Sequence, residues 1–95
     1  MDAAGAIRVI VSEARRSLAL RRATLFGSRA RGDARADSDI DLAFEHDSPD
    51  AVWADFVNRM QDQAPTLLHL DLVDLARVDP ALRSRILHEG ATLHG

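Results

Sequence analysis

The chain has no cysteine, no tyrosine and no lysine among its 95 residues, and only 4% of them are aromatic. Without cysteine there is no disulfide framework and no thiolate zinc site. Without lysine there is neither a P-loop of the usual kind nor a Schiff-base nucleophile. No apolar run approaches the roughly 20 residues that cross a bilayer. The start, Met1-Asp2-Ala3, lacks the basic segment and apolar stretch of a signal peptide, so a cytoplasmic protein without membrane association is expected. The formal net charge of −3 argues against broad electrostatic binding of nucleic acid, which needs a basic stripe.

What is present is an aliphatic chain, 46% hydrophobic, of a length that makes one domain over residues 1–95. All 12 basic residues are arginines, and seven of them (Arg15, Arg16, Arg21, Arg22, Arg29, Arg31 and Arg35) fall between positions 15 and 35. They read either as solvated helix and loop charge or, for some, as groups facing a polyanion.

Ile7, Ile10, Val11, Ala14 and Leu18 recur at helical spacing and predict an amphipathic helix over 3–19. Ala23-Thr24-Leu25-Phe26 is a short apolar run ending at Gly27, as in a buried strand. Residues 28–37, rich in Gly, Arg, Asp and Ala, read as a loop with one helical turn. Over 39–45, Ile40, Leu42 and Phe44 alternate with Asp39 and Asp41, the pattern of a second strand. Ser48-Pro49-Asp50 predicts a helix start with Ser48 as N-cap, and Val52, Phe56 and Met60 give that helix its buried stripe. A third strand is expected over 67–75. A short helix opens at Asp79-Pro80 and closes at Gly90, and Thr92-Leu93 suits an edge strand. The fold class is therefore α/β, a small mixed sheet with helices packed on one face.

Two features carry chemistry. Asp39 and Asp41, two apart on a strand, would share a face with equivalent atoms roughly 6.5–7 Å apart. Unpaired, they repel; a divalent cation relieves the repulsion, and carboxylate oxygens are what Mg²⁺ prefers. An exposed Asp-x-Asp can equally be plain surface charge. Upstream, a strand runs into Gly27-Ser28, with Gly32 four positions after the serine. Such a turn aims backbone N–H groups outward as a phosphate cradle, although a Gly-Ser pair alone also makes an ordinary strand-ending turn. Together the two features fit handling of a metal-bound triphosphate.

Gly27-Ser28-Arg29-Ala30-Arg31-Gly32, then five residues, then Ser38-Asp39-Ile40-Asp41-Leu42 resembles the signature of the DNA polymerase beta-like nucleotidyltransferase superfamily, and within it the minimal nucleotidyltransferase (MNT) group. The signature spans residues 26–42, and the pattern of helices and strands extends the likeness over nearly the whole chain. The resemblance implies a polymerase beta palm-like fold in which Gly27, Ser28, Gly32 and Ser38 serve nucleotide binding and Asp39 and Asp41 hold two Mg²⁺ ions, with Mn²⁺ as a substitute. It also implies a third catalytic carboxylate on a neighbouring strand. Asp71 and Asp74, three apart, point to opposite faces of a regular strand, and the family pattern selects Asp71, leaving Asp74 as a strand-end or turn-capping residue. His69, two before Asp71, should share its face. Arg29 and Arg31 are either phosphate contacts or surface charge, Trp53 is read as core, and the four histidines as structural.

Stand-alone MNT proteins are similar to the antitoxin halves of HEPN–MNT toxin–antitoxin pairs. That likeness implies ATP, or another nucleoside triphosphate, as donor and a tyrosine of a HEPN-type toxin partner as acceptor of AMP. With no tyrosine here, the acceptor would lie in another chain, and a homo-oligomer is compatible with so open a site. Two alternatives remain at this level: an antitoxin that binds without turnover, and a subunit of a small-molecule (aminoglycoside-like) nucleotidyltransferase.

Overall fold

A computed structural model describes residues 2–95 as α1 (Ala3–Ser17), β1 (Leu20–Phe26), α2 (Ser28–Arg31), β2 (Ile40–His46), α3 (Asp50–Gln63), β3 (Leu70–Asp74), α4 (Pro80–Glu89) and β4 (Ala91–His94). The strands form one sheet in the order β3-β2-β1-β4. β2 pairs with β3 in parallel and β1 pairs antiparallel with both β2 and β4. The sheet is thus mixed, as the short β1–β2 connection and the helical β2–β3 crossover require.

Alternation along β2 sorts the two faces. Ile40, Leu42 and Phe44 are fully buried against Ala6, Ile10 and Ala14 of α1 and Phe56 and Met60 of α3. Phe44 anchors this layer, its ring 5.4 Å from that of Phe56 in a T-shaped contact and 5.7 Å from that of Trp53. This is the helical cover expected from the sequence. Arg59 ties the layer together from α3, donating to Ser17 at the end of α1 at 2.8 Å and pairing with Asp55 at 3.0 Å. The other face is covered over part of its area by α4, whose Ile86 packs with Ala43 and Leu75 and whose Leu82 lies against the same cluster. Asp41 stands on this second face, beside Ala43.

Local chemistry moves several boundaries. Ser48 was expected to cap α3, but Pro49 occupies the cap position with no side-chain bond, and the helix starts at Asp50. The Ser48 hydroxyl instead accepts from the Ala19 N–H at 2.8 Å, joining the α1–β1 turn to the end of β2. The third strand is shorter than 67–75. The Thr66 N–H donates to the Ala64 carbonyl at 2.8 Å and the Leu68 N–H to Thr66 Oγ1 at 3.1 Å, turns that hold 64–68 out of the ladder. β1 begins three residues before Ala23, at Leu20, because α1 already ends at Ser17. Asp79 caps α4 as expected, accepting from the Leu82 N–H at 2.9 Å.

Candidate functional site

The end of β1, the turn after it and the starts of β2 and β3 meet at one edge of the second face. Gly27 leaves β1 with φ 72° and ψ −155°, a conformation open in practice to glycine only. Its carbonyl accepts from the N–H groups of both Ala30 and Arg31 at 3.1 Å, which bends the chain into α2. Gly32 ends that turn in the left-handed region, φ 85°, its N–H donating to the Ser28 carbonyl at 3.0 Å. The first N–H groups of the turn, those of Ser28 and Arg29, have no intrahelical acceptor. Gly27 is also a close approach. A Cβ there would press on Asp41 Oδ2 and stand 3.0 Å from its Cγ, so the turn lies directly against the Asp41 carboxylate.

Asp41 and Asp71 are register partners on the parallel strands β2 and β3, which puts both on the same face, roughly 4.8 Å apart at the backbone. Asp39 lies one residue before β2 rather than within it, exposed, with its Oδ2 3.4 Å from Nδ1 of His69. His69 does fall on the side of Asp39 and Asp71. Asp41 is half-buried, and burial pushes its carboxyl above the ordinary value; the neighbouring charges of Asp71 and then Asp39 push it further in the same direction. The fields of His69 and Arg31 oppose this. The three carboxylates thus form an electrostatically frustrated group.

A divalent cation suits that group chemically: the donors are carboxylate oxygens, and a positive charge beside Asp41 would offset both the burial and the repulsion that disfavour its ionised form. Among the described residues no three acidic or histidine side chains converge on a single point. Holding an ion therefore requires the exposed Asp39 and Asp71 side chains to swing toward Asp41, a rotation that their exposure leaves free.

Arg29, which the sequence left between phosphate contact and surface charge, is engaged by its own loop. Its guanidinium donates to the carbonyls of Ser38 at 2.8 Å, Asp39 at 3.2 Å, Ala36 at 3.4 Å and Arg35 at 3.5 Å. It pins the loop that delivers Asp39, and no one-dimensional pattern marks such a role. Ser38 serves the same loop, its hydroxyl accepting from the Arg35 N–H at 2.7 Å while its proton remains available to donate. Gly32 acts as a helix terminator, with open space around its α-carbon. Arg31 stays near the site, 3.4 Å from Asp33 and 3.9 Å from Glu89 of α4.

Asp74 points to the face opposite Asp71. Its carboxylate accepts from the Ala76 N–H at 3.1 Å and lies 3.0 Å from His46 Nε2. His46 Nδ1 accepts from the Ser48 N–H at 3.1 Å, which places the ring proton on Nε2 and makes His46 the donor to Asp74. The His46 ring stacks on Trp53 at 5.0 Å. This buried pair is a structural device at the strand ends; two polar residues 28 apart in the chain give no sign of it in one dimension.

The family model described as "Polymerase beta, Nucleotidyltransferase" matches residues 9–95. A comparison with curated proteins finds no match. Among solved structures, the chain is similar to a toxin–antitoxin solved with AMP-PNP, with 24% identity and a TM-score of 0.76 over 93% of this chain and 72% of that one. It is similar to a variant of the toxin–antitoxin MntA–HpeT, with 21% identity and a TM-score of 0.72 over 93% of this chain and 71% of the other. It is also similar to a protein provisionally assigned as a minimal nucleotidyltransferase, with 28% identity and a TM-score of 0.72 over 96% of this chain and 95% of that one.

Proposed function

The chain belongs to the polymerase beta nucleotidyltransferase family, and from that premise we propose that it moves AMP from ATP, with Mg²⁺, onto a hydroxyl of a partner protein, as the antitoxin of a HEPN–MNT pair. The observation that supports this reading is the pairing of Asp41 with Asp71 across parallel strands, with Asp41 packed against Gly27 and Asp39 close enough for its charge to be felt at Asp41. Likeness to a toxin–antitoxin solved with a nucleotide supports the choice of donor and of partner.

In this mechanism Asp39, Asp41 and Asp71 would hold the metal. When bound, Mg²⁺ supplies charge neutralisation across the triphosphate and the leaving pyrophosphate. The free N–H groups of Ser28 and Arg29 orient the β- and γ-phosphates. Asp71, the more exposed of the β2–β3 pair, takes the proton of the acceptor hydroxyl on one of its carboxylate oxygens. The hydroxyl oxygen then bonds to the α-phosphorus as the bond from that phosphorus to the pyrophosphate oxygen breaks. Arg29 holds the 35–39 loop, and with it Asp39, in place throughout. The chain has no tyrosine of its own and Asp39 and Asp71 are exposed, which fits an acceptor brought by another protein.

The test is incubation with ATP, Mg²⁺ and the protein encoded beside this one, followed by intact mass spectrometry. The expected result is a gain of AMP at a partner tyrosine, abolished by Asp39→Asn/Asp41→Asn. A partner that stays unmodified but is neutralised equally by both forms would replace the enzyme with a binding antitoxin. Transfer onto an aminoglycoside with no partner present would replace the protein acceptor with a small molecule.

A further inference from the structure

Gly27 has two neighbours. On one side it abuts Asp41; on the other it forms the lip of a cleft of about 170 Å³ between α2 and α4. The α4 wall of that cleft is one helix stripe, Leu82, Arg85, Ile86 and Glu89, at spacings of three, one and three. The α2 wall supplies Arg31. Two arginines therefore line a hollow that opens beside the turn against which the Asp41 carboxylate sits.

The cations near the site are few. The chain has no lysine, and Arg29 is committed to four loop carbonyls. Arg85 enters no ion pair among the described residues, and Arg31 meets only the exposed Asp33 at 3.4 Å and Glu89 at 3.9 Å. A polyphosphate crossing the Gly27 turn away from Asp41 meets these two arginines next, and planar guanidinium groups bind phosphate oxygens in a fork. Glu89, in the same cleft, competes with that anion for Arg31.

Resting on the nucleotidyltransferase reading above, we infer that Arg31 and Arg85 form a clamp for the terminal phosphates of the nucleotide, and so for the pyrophosphate that leaves, and that Glu89, alongside Asp33, competes for Arg31 until that anion arrives. The apolar floor of Leu82 and Ile86 holds the α4 stripe in position, and the specificity of the cleft is for a polyphosphate rather than for a base.

The experiment is isothermal titration of the full chain with Mg²⁺·ATP, with Mg²⁺·pyrophosphate and with AMP. Arg85→Gln and Arg31→Gln, each at an exposed side chain, should weaken ATP and pyrophosphate binding by about tenfold, the scale of one lost charge-assisted contact, and leave AMP binding unchanged. Glu89→Gln should tighten both polyphosphates severalfold. Arg8→Gln, an equal change of net charge on α1, should alter none of them, and thermal melts check that each variant is folded. Unchanged ATP and pyrophosphate affinity in both arginine variants overturns the clamp. Loss of AMP affinity in step with ATP also overturns it, because the cleft would then hold the base or ribose. Arginine-dependent pyrophosphate binding in a protein that does not bind ATP would uphold the clamp while sinking the adenylyl-transfer reading; binding of neither removes both.

Discussion

Replacing Gly27 with alanine should damage stability and nucleotide binding together. At φ 72° and ψ −155° an alanine sits in a region that costs of order 1–3 kcal/mol, held only because β1 and α2 fix the chain on both sides. In a domain of this size 1 kcal/mol shifts the melting temperature by roughly 4–8 °C, so a loss of about 4–24 °C is expected. The new methyl would also drive against the Asp41 carboxylate. That side chain can rotate away, which limits the clash but removes the carboxylate from the group facing Asp71. Gly32→Ala is the matched control. It too forces a left-handed residue, at about 1–2 kcal/mol, but its Cβ would meet nothing within 4 Å. Thermal melts and Mg²⁺·ATP calorimetry on both variants separate the two effects. Gly32→Ala should melt lower and still bind, whereas Gly27→Ala should melt lower and lose binding. A folded Gly27→Ala protein with wild-type affinity for Mg²⁺·ATP would refute the close packing of the turn against Asp41 as a requirement for the site.

Three further outcomes follow from the same geometry. Because the Asp41 carboxyl is raised by burial and by Asp71 and Asp39, the folded state holds its proton more tightly than the unfolded chain does; stability contributed there is present at acid pH and declines as pH rises from the ordinary carboxylate range through the raised value. Asp41→Asn should therefore melt higher than wild type at neutral pH and lose that advantage in acid, and a difference that grows toward acid would contradict the assigned sign. Asp74→Ala strands the buried His46 donor and the Ala76 N–H and should cost about 1–3 kcal/mol in urea unfolding, while Asp71→Asn should leave stability equal or higher and abolish metal-dependent nucleotide binding. Arg29→Lys keeps the charge but not the fork that spans four carbonyls; Mg²⁺·ATP affinity should fall by about tenfold with little change in melting temperature, and an unchanged affinity would show that Asp39 does not depend on the clamp.

Periodicity alone announced the elements: a helix around Ile10 and Ala14, a two-faced strand around Leu42, a helix around Phe56 and Met60, and a helix opened by Asp79-Pro80. These are short-range facts, settled by which side chains must leave water and which residues can cap. The motif residues were legible for a similar reason, since Gly27, Ser28, Asp39 and Asp41 lie within 15 consecutive positions and their spacing is itself the geometry. That Asp71 and Asp74 face opposite ways followed from strand alternation, whereas the choice of Asp71 for the site rested on the family resemblance. Boundaries set by competing polar contacts were not legible: whether Ser48 caps its own helix or accepts from Ala19 depends on a residue 29 positions away.

Only the folded chain could decide the rest, because it rests on pairs distant in sequence. The parallel register that sets Asp71 beside Asp41 spans 30 residues, and the His46–Asp74 pair spans 28. The Arg29 clamp depends on how the eight-residue loop 32–39 turns back on one guanidinium. The place of α4, on the same face as the carboxylates, could not be read from its weakly amphipathic sequence, since a helix of that composition buries whichever stripe the sheet offers it. Sequence thus determined which residues could do chemistry and on which local face of each strand they lie, through turn stereochemistry and periodicity. Tertiary structure decided which of them stand together, because strand register and helix docking are settled by the packing of the whole core.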